Sequence, residues 1–156
     1  MATVAVKAGY PTLPGQIAYF PEAAGQSFKK GQFVYLDNNG KLTACSSDPA
    51  GIAGMAMQDA SGTENTAIAI TIAKEGQQFT LHVTNAGTAT TTSYSQVGKS
   101  YGLYVANNIC YCDVGDTTNK RLRVVDLAPE DNVGDTNGRV IVEVLDDYAQ
   151  LSGGTS

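Results

Sequence analysis

FKKGQFVYLDNNGKLTACSSDPAGIAGMAMQDASG, residues 28–62, decides the fold class. Phe33 to Leu36 is β-branched and aromatic, a composition that suits a pleated, half-buried surface. Asp37-Asn38-Asn39-Gly40 supplies the positive φ angles of a hairpin turn, and Lys41 to Cys45 is expected to return antiparallel. After the break at Ser46-Ser47-Asp48-Pro49, Gly51 to Met57 alternates tiny residues with methionine. Larger side chains there would block a neighbouring backbone, so a closely packed third strand is expected. Asp59-Ala60-Ser61-Gly62 closes a unit that reads as β scaffold and holds no catalytic constellation.

The pattern continues toward the C-terminus. Thr66 to Ala73 puts Ile68, Ile70 and Ile72 on one face with small residues between them. Gln77 to Thr84 is expected to turn Phe79, Leu81 and Val83 inward and Thr80, His82 and Thr84 outward, which makes His82 a solvent-facing strand residue without a catalytic partner. Residues 85–100 form a Thr/Ser-rich excursion. Its Gly98-Lys99-Ser100 is not a phosphate-binding loop, because that motif needs a glycine where Ser93 stands. Tyr101, Leu103 and Val105 share a face; Asn107-Asn108 is a turn; Ile109 and Tyr111 alternate with Cys110 and Cys112. Arg121 to Leu127 and Arg139 to Asp146 are the last strands, the latter with Val140, Val142 and Val144 on one side. Asp146 and Asp147 would point to opposite faces there and make a poor acid/base pair. Toward the N-terminus, Gln16 to Phe20 is a short strand. In residues 1–15, Pro11 and Pro14 remove backbone donors and limit pairing within the domain, while Val4, Val6, Tyr10 and Leu13 offer apolar anchors to a partner.

The expectation is therefore an all-β protein of nine or ten short antiparallel strands, a single compact β-barrel or β-sandwich domain at 16–148. An extended N-terminal arm at 1–15 precedes it and a flexible C-terminal tail at 149–156 follows. At 156 residues one domain with its own core is the prior. Net charge of −5 argues against direct nucleic-acid binding, which needs a basic face. The charge is uneven: residues 1–41 carry four lysines against Glu22 and Asp37, whereas residues 113–147 carry nine acids and four bases, which reads first as solvated turns and alternatively as a balance suited to heterologous contacts. Cys45, Cys110 and Cys112 make an odd count and His82 is the lone histidine, so buried free thiols are expected, with no metal and no cofactor. Asp113 and Asp116 lack the remaining oxygen ligands of a calcium loop. The opening residues lack the basic region and apolar core of a secretion signal, and no apolar run approaches the ~20 residues that span a bilayer. No membrane partner is expected, and the compartment expected is a reducing cell interior. No nucleophile elbow or His-Glu-x-x-His pair occurs, so no enzyme is expected.

The succession KKGQFVYLDNNGKLTA, AGIAGMAMQDASG, VGKSYGLYV and GDTNGRVIVEVL, in that order across residues 28–146, resembles the cement (decoration) proteins of tailed-bacteriophage capsids. The resemblance implies a β-rich domain, commonly a homotrimer, made in the host bacterial cytoplasm. It would bind the exterior of an expanded shell and stabilise contacts between subunits of the major capsid protein. An extended N-terminal segment is frequently part of the grip in that family. It points to Val4, Val6, Lys7, Tyr10, Pro11 and Leu13, with Lys29 and Lys30, as capsid-binding residues. The alternative from another class is a phage- or cell-surface β domain that stacks carbohydrate on Tyr94, Tyr101, Tyr104 or Tyr111. The absence of Trp counts against it.

Overall fold

A computed structural model describes residues 2–152. Among them run eleven short strands: β1 (Tyr10–Pro11), β2 (Ile17–Pro21), β3 (Phe33–Leu36), β4 (Leu42–Ala44), β5 (Gly54–Ala56), β6 (Ala67–Ile72), β7 (Gln78–Thr84), β8 (Ser100–Ala106), β9 (Ile109–Asp113), β10 (Leu122–Leu127) and β11 (Arg139–Val144). Two single-turn 3-10 helices, Tyr94–Gln96 and Asp146–Tyr148, are the only helical pieces described. The all-β class read from the sequence is the class observed.

The strands form two sheets. β7, β11, β10, β8 and β9 pair in that order, and the last two residues of β7 then pair in parallel with β9 (Val83 with Cys112, Thr84 with Asp113), which closes a five-stranded barrel. β1 adds to the other half of the same β7 edge. The second sheet runs β2-β6-β5-β3-β4 and curls until Glu22, just past β2, makes a single bridge to Leu42 of β4.

The stretch 28–62 occupies the heart of the second sheet. Its hairpin is set by Asp37, whose carboxylate accepts from the N–H groups of Asn39 (2.8 Å) and Lys41 (3.0 Å). Only Gly40 (φ +74°) takes a positive φ here, rather than several residues of the turn. The β8–β9 turn does use two, Asn107 (+53°) and Asn108 (+62°), the geometry that matches the twist of a two-residue hairpin. Both faces of β3 and β5 are buried. Phe33 and Met55 point into the core shared with the barrel, whereas Val34 and Ala56 point into a smaller core within the curled sheet, with Phe28, Leu42, Ile68 and Ile70. Two-sided burial explains why these strands read as nearly unbroken apolar runs. The expected close approach falls at Gly54: a Cβ there would overlap the carbonyl oxygen of Thr71 on β6.

Phe79, Leu81 and Val83 fill the barrel as expected, each fully buried. Thr80, His82 and Thr84 were expected at the surface, but they are buried too. The reason lies outside the strand: the N-terminal segment lies over Thr80 and His82, and the turn 85–88 folds back on Thr84. Asp146 and Asp147 do not alternate on a strand, because β11 ends at Val144 and both sit in the 3-10 turn closed by Tyr148 N–H on the Leu145 carbonyl. The Thr/Ser-rich excursion is ordered. Ser93 and Gln96 cap the Tyr94–Gln96 turn reciprocally, and Thr92 and Gln96 are buried. The chain end is docked through residue 152: Ala149 bridges Ile52, and the Gln150 amide exchanges hydrogen bonds with the Leu36 backbone. The rest of the expected flexible tail, residues 153–156, lies outside the described residues.

Two glycine substitutions separate close approach from backbone conformation. Gly54→Ala should lower stability by about 3 kcal/mol, because a Thr71 carbonyl in a central pairing cannot move aside. Gly40→Ala, with open space around it, should lose only the left-handed backbone preference, about 1–2 kcal/mol. Urea midpoints of the two variants check the order.

Candidate functional site

The N-terminal residues expected to grip a partner are largely engaged with their own domain. Ala2 N–H donates to Asp135, Val4 N–H donates to the Thr136 carbonyl (2.8 Å), and Thr136 N–H donates back to Ala2 (2.9 Å). Lys7 N–H donates to His82 Nε2 at 3.0 Å. Tyr10 and Pro11 face Thr80 and Phe79 as an edge strand, and Thr12 N–H donates to the Gln78 carbonyl. Proline did not prevent this pairing. Bonds between the strands fall on alternate residues, so Pro11 occupies the position whose N–H would point away from β7. Gly9 is buried at the crossing; a Cβ on it would lie 2.5 Å from Leu81 Cδ2, and one on Gly31 (φ +94°) would lie 2.5 Å from the Gly9 carbonyl. That crossing brings residues 8–9 against the turn that carries Lys29 and Lys30, both exposed, the former 3.9 Å from Asp59.

Leu13 leaves the barrel surface, 66% exposed, and is followed on the outward face of β2 by Ile17 (46%) and Tyr19 (67%). Sequence reading named Leu13 and missed the other two. The signal was present, since Ile17 and Tyr19 share one face of a strand whose other face carries Ala18 and Phe20. β2 pairs only with β6, so this apolar strip borders an open sheet edge. Val4 is half-buried at the barrel end, and Val6, partly exposed, lies beside a different feature. That feature is a cleft of about 370 Å³ lined by Val6, Thr84, Asn107, Tyr104, Tyr111 and Asn137. Tyr104 and Tyr111 oppose each other across the β8–β9 hairpin with ring centres 6.1 Å apart. Of the four tyrosines considered for carbohydrate, Tyr101 is buried and so is no stacking platform; Tyr94 stands exposed elsewhere on the surface.

The three thiols are free and buried. Burial pushes Cys110 up to about 12 and also raises Cys45 and Cys112, so none is a ready nucleophile. Among the described residues no three His, Cys, Asp or Glu side chains gather as a metal site. Glu22 is wholly buried. Burial pushes its pKa up, but hydrogen bonds from Ser61 Oγ, Ser61 N–H and Gly62 N–H outweigh this and hold it below the usual carboxylate range.

Asp48 and Asp116 meet over Gly102, from loops far apart in the chain. Asp48 accepts from Leu103 N–H (3.0 Å), and Arg121 binds the Asp48 and Pro49 carbonyls (3.3 and 2.6 Å) while stacking over Tyr148. Burial first, and the neighbouring carboxyl second, push Asp48 up to about 6. Asp116 is held low by the hydrogen bond from Asp48 and by the N–H groups of Asn119 and Thr118. Below about pH 6 the pair holds one proton, on Asp48. The pair fastens the β4–β5 loop to β8, and the backbone donors around it are its partners.

A scan against protein-family models returns no match, and neither does a search of curated proteins.

Two measurements follow from this geometry. Asp48 binds its proton more tightly folded than unfolded, so its contribution to stability should fall as pH rises from about 4 to above 6. Asp48→Asn keeps the acceptor for Leu103 and tolerates the positive φ of 48°; it should raise the unfolding free energy from urea titration at pH 8 by about 1 kcal/mol after discounting for partial exposure, with little change at pH 5. Deleting residues 1–14 should leave a folded domain that is weakened, not unaffected. Losing several hydrogen bonds worth roughly 1 kcal/mol each should remove about 3 kcal/mol and lower the melting temperature by roughly 6–12 °C.

Proposed function

We propose that this protein is a cement protein of a tailed-bacteriophage capsid. It binds the outside of the expanded shell, as a homotrimer, and stabilises contacts between neighbouring major capsid protein subunits. The order of sequence blocks across residues 28–146 suggests the reading. The observation that carries it furthest is the strip Leu13, Ile17 and Tyr19: three large apolar side chains left in water beside an unpaired strand edge. That surface is suited to a protein partner, which would add main-chain bonds to the edge and bury the side chains.

No chemistry is required of such a protein. It binds the assembled lattice and not the free subunits, so occupancy shifts the equilibrium toward the intact shell by mass action. A contact of about 1,200–2,000 Å² in total suffices for specific attachment, and attachment of one trimer at three points multiplies a modest affinity. The exposed Lys29 and Lys30 would set orientation and encounter rate more than affinity.

The Tyr104–Tyr111 cleft favours a second reading, a surface β domain that binds carbohydrate. Two tilted rings flanked by Asn and Thr groups offer stacking and hydrogen bonding to a sugar. Co-sedimentation with undecorated expanded shells, run beside a glycan panel, separates the two readings. The cement reading predicts sedimentation with shells and a silent panel. It also predicts that Leu13→Asp with Tyr19→Asp weakens shell binding at least about tenfold, since each buried large side chain contributes about 1.5–3 kcal/mol, while the melting temperature stays put. Undiminished binding by that variant, or glycan capture without shell binding, would reject it.

A further inference from the structure

His82 is 2% exposed, and its two ring nitrogens have opposite duties. Nδ1 lies 2.6 Å from the Asn137 carbonyl, which can only accept, so Nδ1 carries the proton. Nε2 lies 3.0 Å from the Lys7 N–H, which can only donate, so Nε2 must be bare. The arm is thus fastened to a neutral imidazole in one tautomer. Between Val4 and Tyr10, the Lys7 bond is the one backbone hydrogen bond that fixes the arm to the barrel among the described residues. A second proton on the ring would place two donors, Nε2–H and the Lys7 N–H, against each other.

We propose that His82 is an acid-sensitive latch: protonation at Nε2 expels the Lys7 N–H and frees the segment 5–9 from the barrel, uncovering His82, while the bonds at Ala2 and Val4 and the pairing of β1 hold the segment at its two ends.

The surroundings favour this response. Arg139 lies opposite His82 on β11, and Lys7 approaches from the arm; both oppose a positive ring. Asp131, in the β10–β11 connection, favours it, but that carboxylate is engaged by Arg139 through two side-chain bonds of 2.8 Å and one from the Arg139 N–H. Glu130 is taken by the Tyr10 hydroxyl, and Asp135 by the backbone of Ala2 and Asn132. No carboxylate is left to compensate a cation at position 82 among these neighbours. Burial is the largest influence and pushes the pKa below its ordinary 6.5. The sign follows: the docked arm buries the ring and holds its pKa low, release lets it rise toward the ordinary value, so the docked state binds the proton less well and docking weakens as pH falls. Once below the docked-state pKa the loss levels off; between the two values it approaches tenfold per pH unit for one proton.

The test uses the full-length protein labelled with ¹⁵N. Imidazole nitrogen shifts of His82 and heteronuclear NOEs of residues 5–9 are followed together from pH 8 to 4.5. The arm amides should become mobile along the same titration curve as the ring. His82→Gln supplies an acceptor and a donor that gain no proton, and its arm should not show that transition. Arm amides that stay rigid when the ring is shown to be protonated would overturn the latch. So would release of the Gln variant at the wild-type midpoint, which would assign the effect to carboxylates. An arm that is loose at every pH in the Gln variant, with coincident curves in the wild type, supports His82 as the fastening.

Discussion

The rings of Phe33 and Phe79 meet nearly perpendicular, their centres 5.1 Å apart, and both sheets depend on this contact. Phe33 comes from β3 in the second sheet and Phe79 from β7 in the barrel. Around them gather Ile52, Met55 and Cys45 from one side and Leu81, Leu103, Val124 and Val142 from the other, so the barrel interior and the back of the second sheet are one core. Neither sheet buries this surface alone. The requirement explains the small residues of Gly51 to Met57: the second sheet must pack on both faces, and Gly54 lets β5 lie against β6 without a side chain between the backbones.

The same requirement governs what was legible in the sequence. Strands β3 to β9 follow from period and turn chemistry, because they are local: the isoleucines of β6, the inward triplet Phe79, Leu81 and Val83, and the Asn107-Asn108 turn all lie where the pattern puts them. What could not be read depends on residues distant in the chain. His82 looks outward by alternation and is outward from the barrel, yet it is covered by a segment 75 positions away. Asp48 and Asp116 look like ordinary loop carboxylates until Gly102 brings them together. Pro11 argued against strand pairing, and only the register shows that its missing donor faces away from β7.

The candidate site divides in a similar way. Residues 1–12 carry apolar and charged groups that suggest a partner, but most of their bonding is satisfied at home. The strip Leu13, Ile17 and Tyr19 is different, since the side chains that cover neighbouring strands do not reach it. The exposed apolar surface therefore begins where the arm ends. The resulting view is of a β body that offers an edge, with a strap beside it bonded at both ends and fastened at its middle to one imidazole.

The two chain ends have a joint consequence. The opening residues lead into the second sheet but lie on the barrel; the residues after β11 leave the barrel but dock on Ile52 and Leu36 of the second-sheet half. Each half of the polypeptide thus lends its terminal strap to the other. With a common core and exchanged straps, neither half has a boundary along which it could melt alone, and the molecule should behave as one cooperative unit in spite of its two sheets. Under the cement role proposed above, that all-or-none character would mean that tension on one end is carried by the whole fold before any part of it gives way.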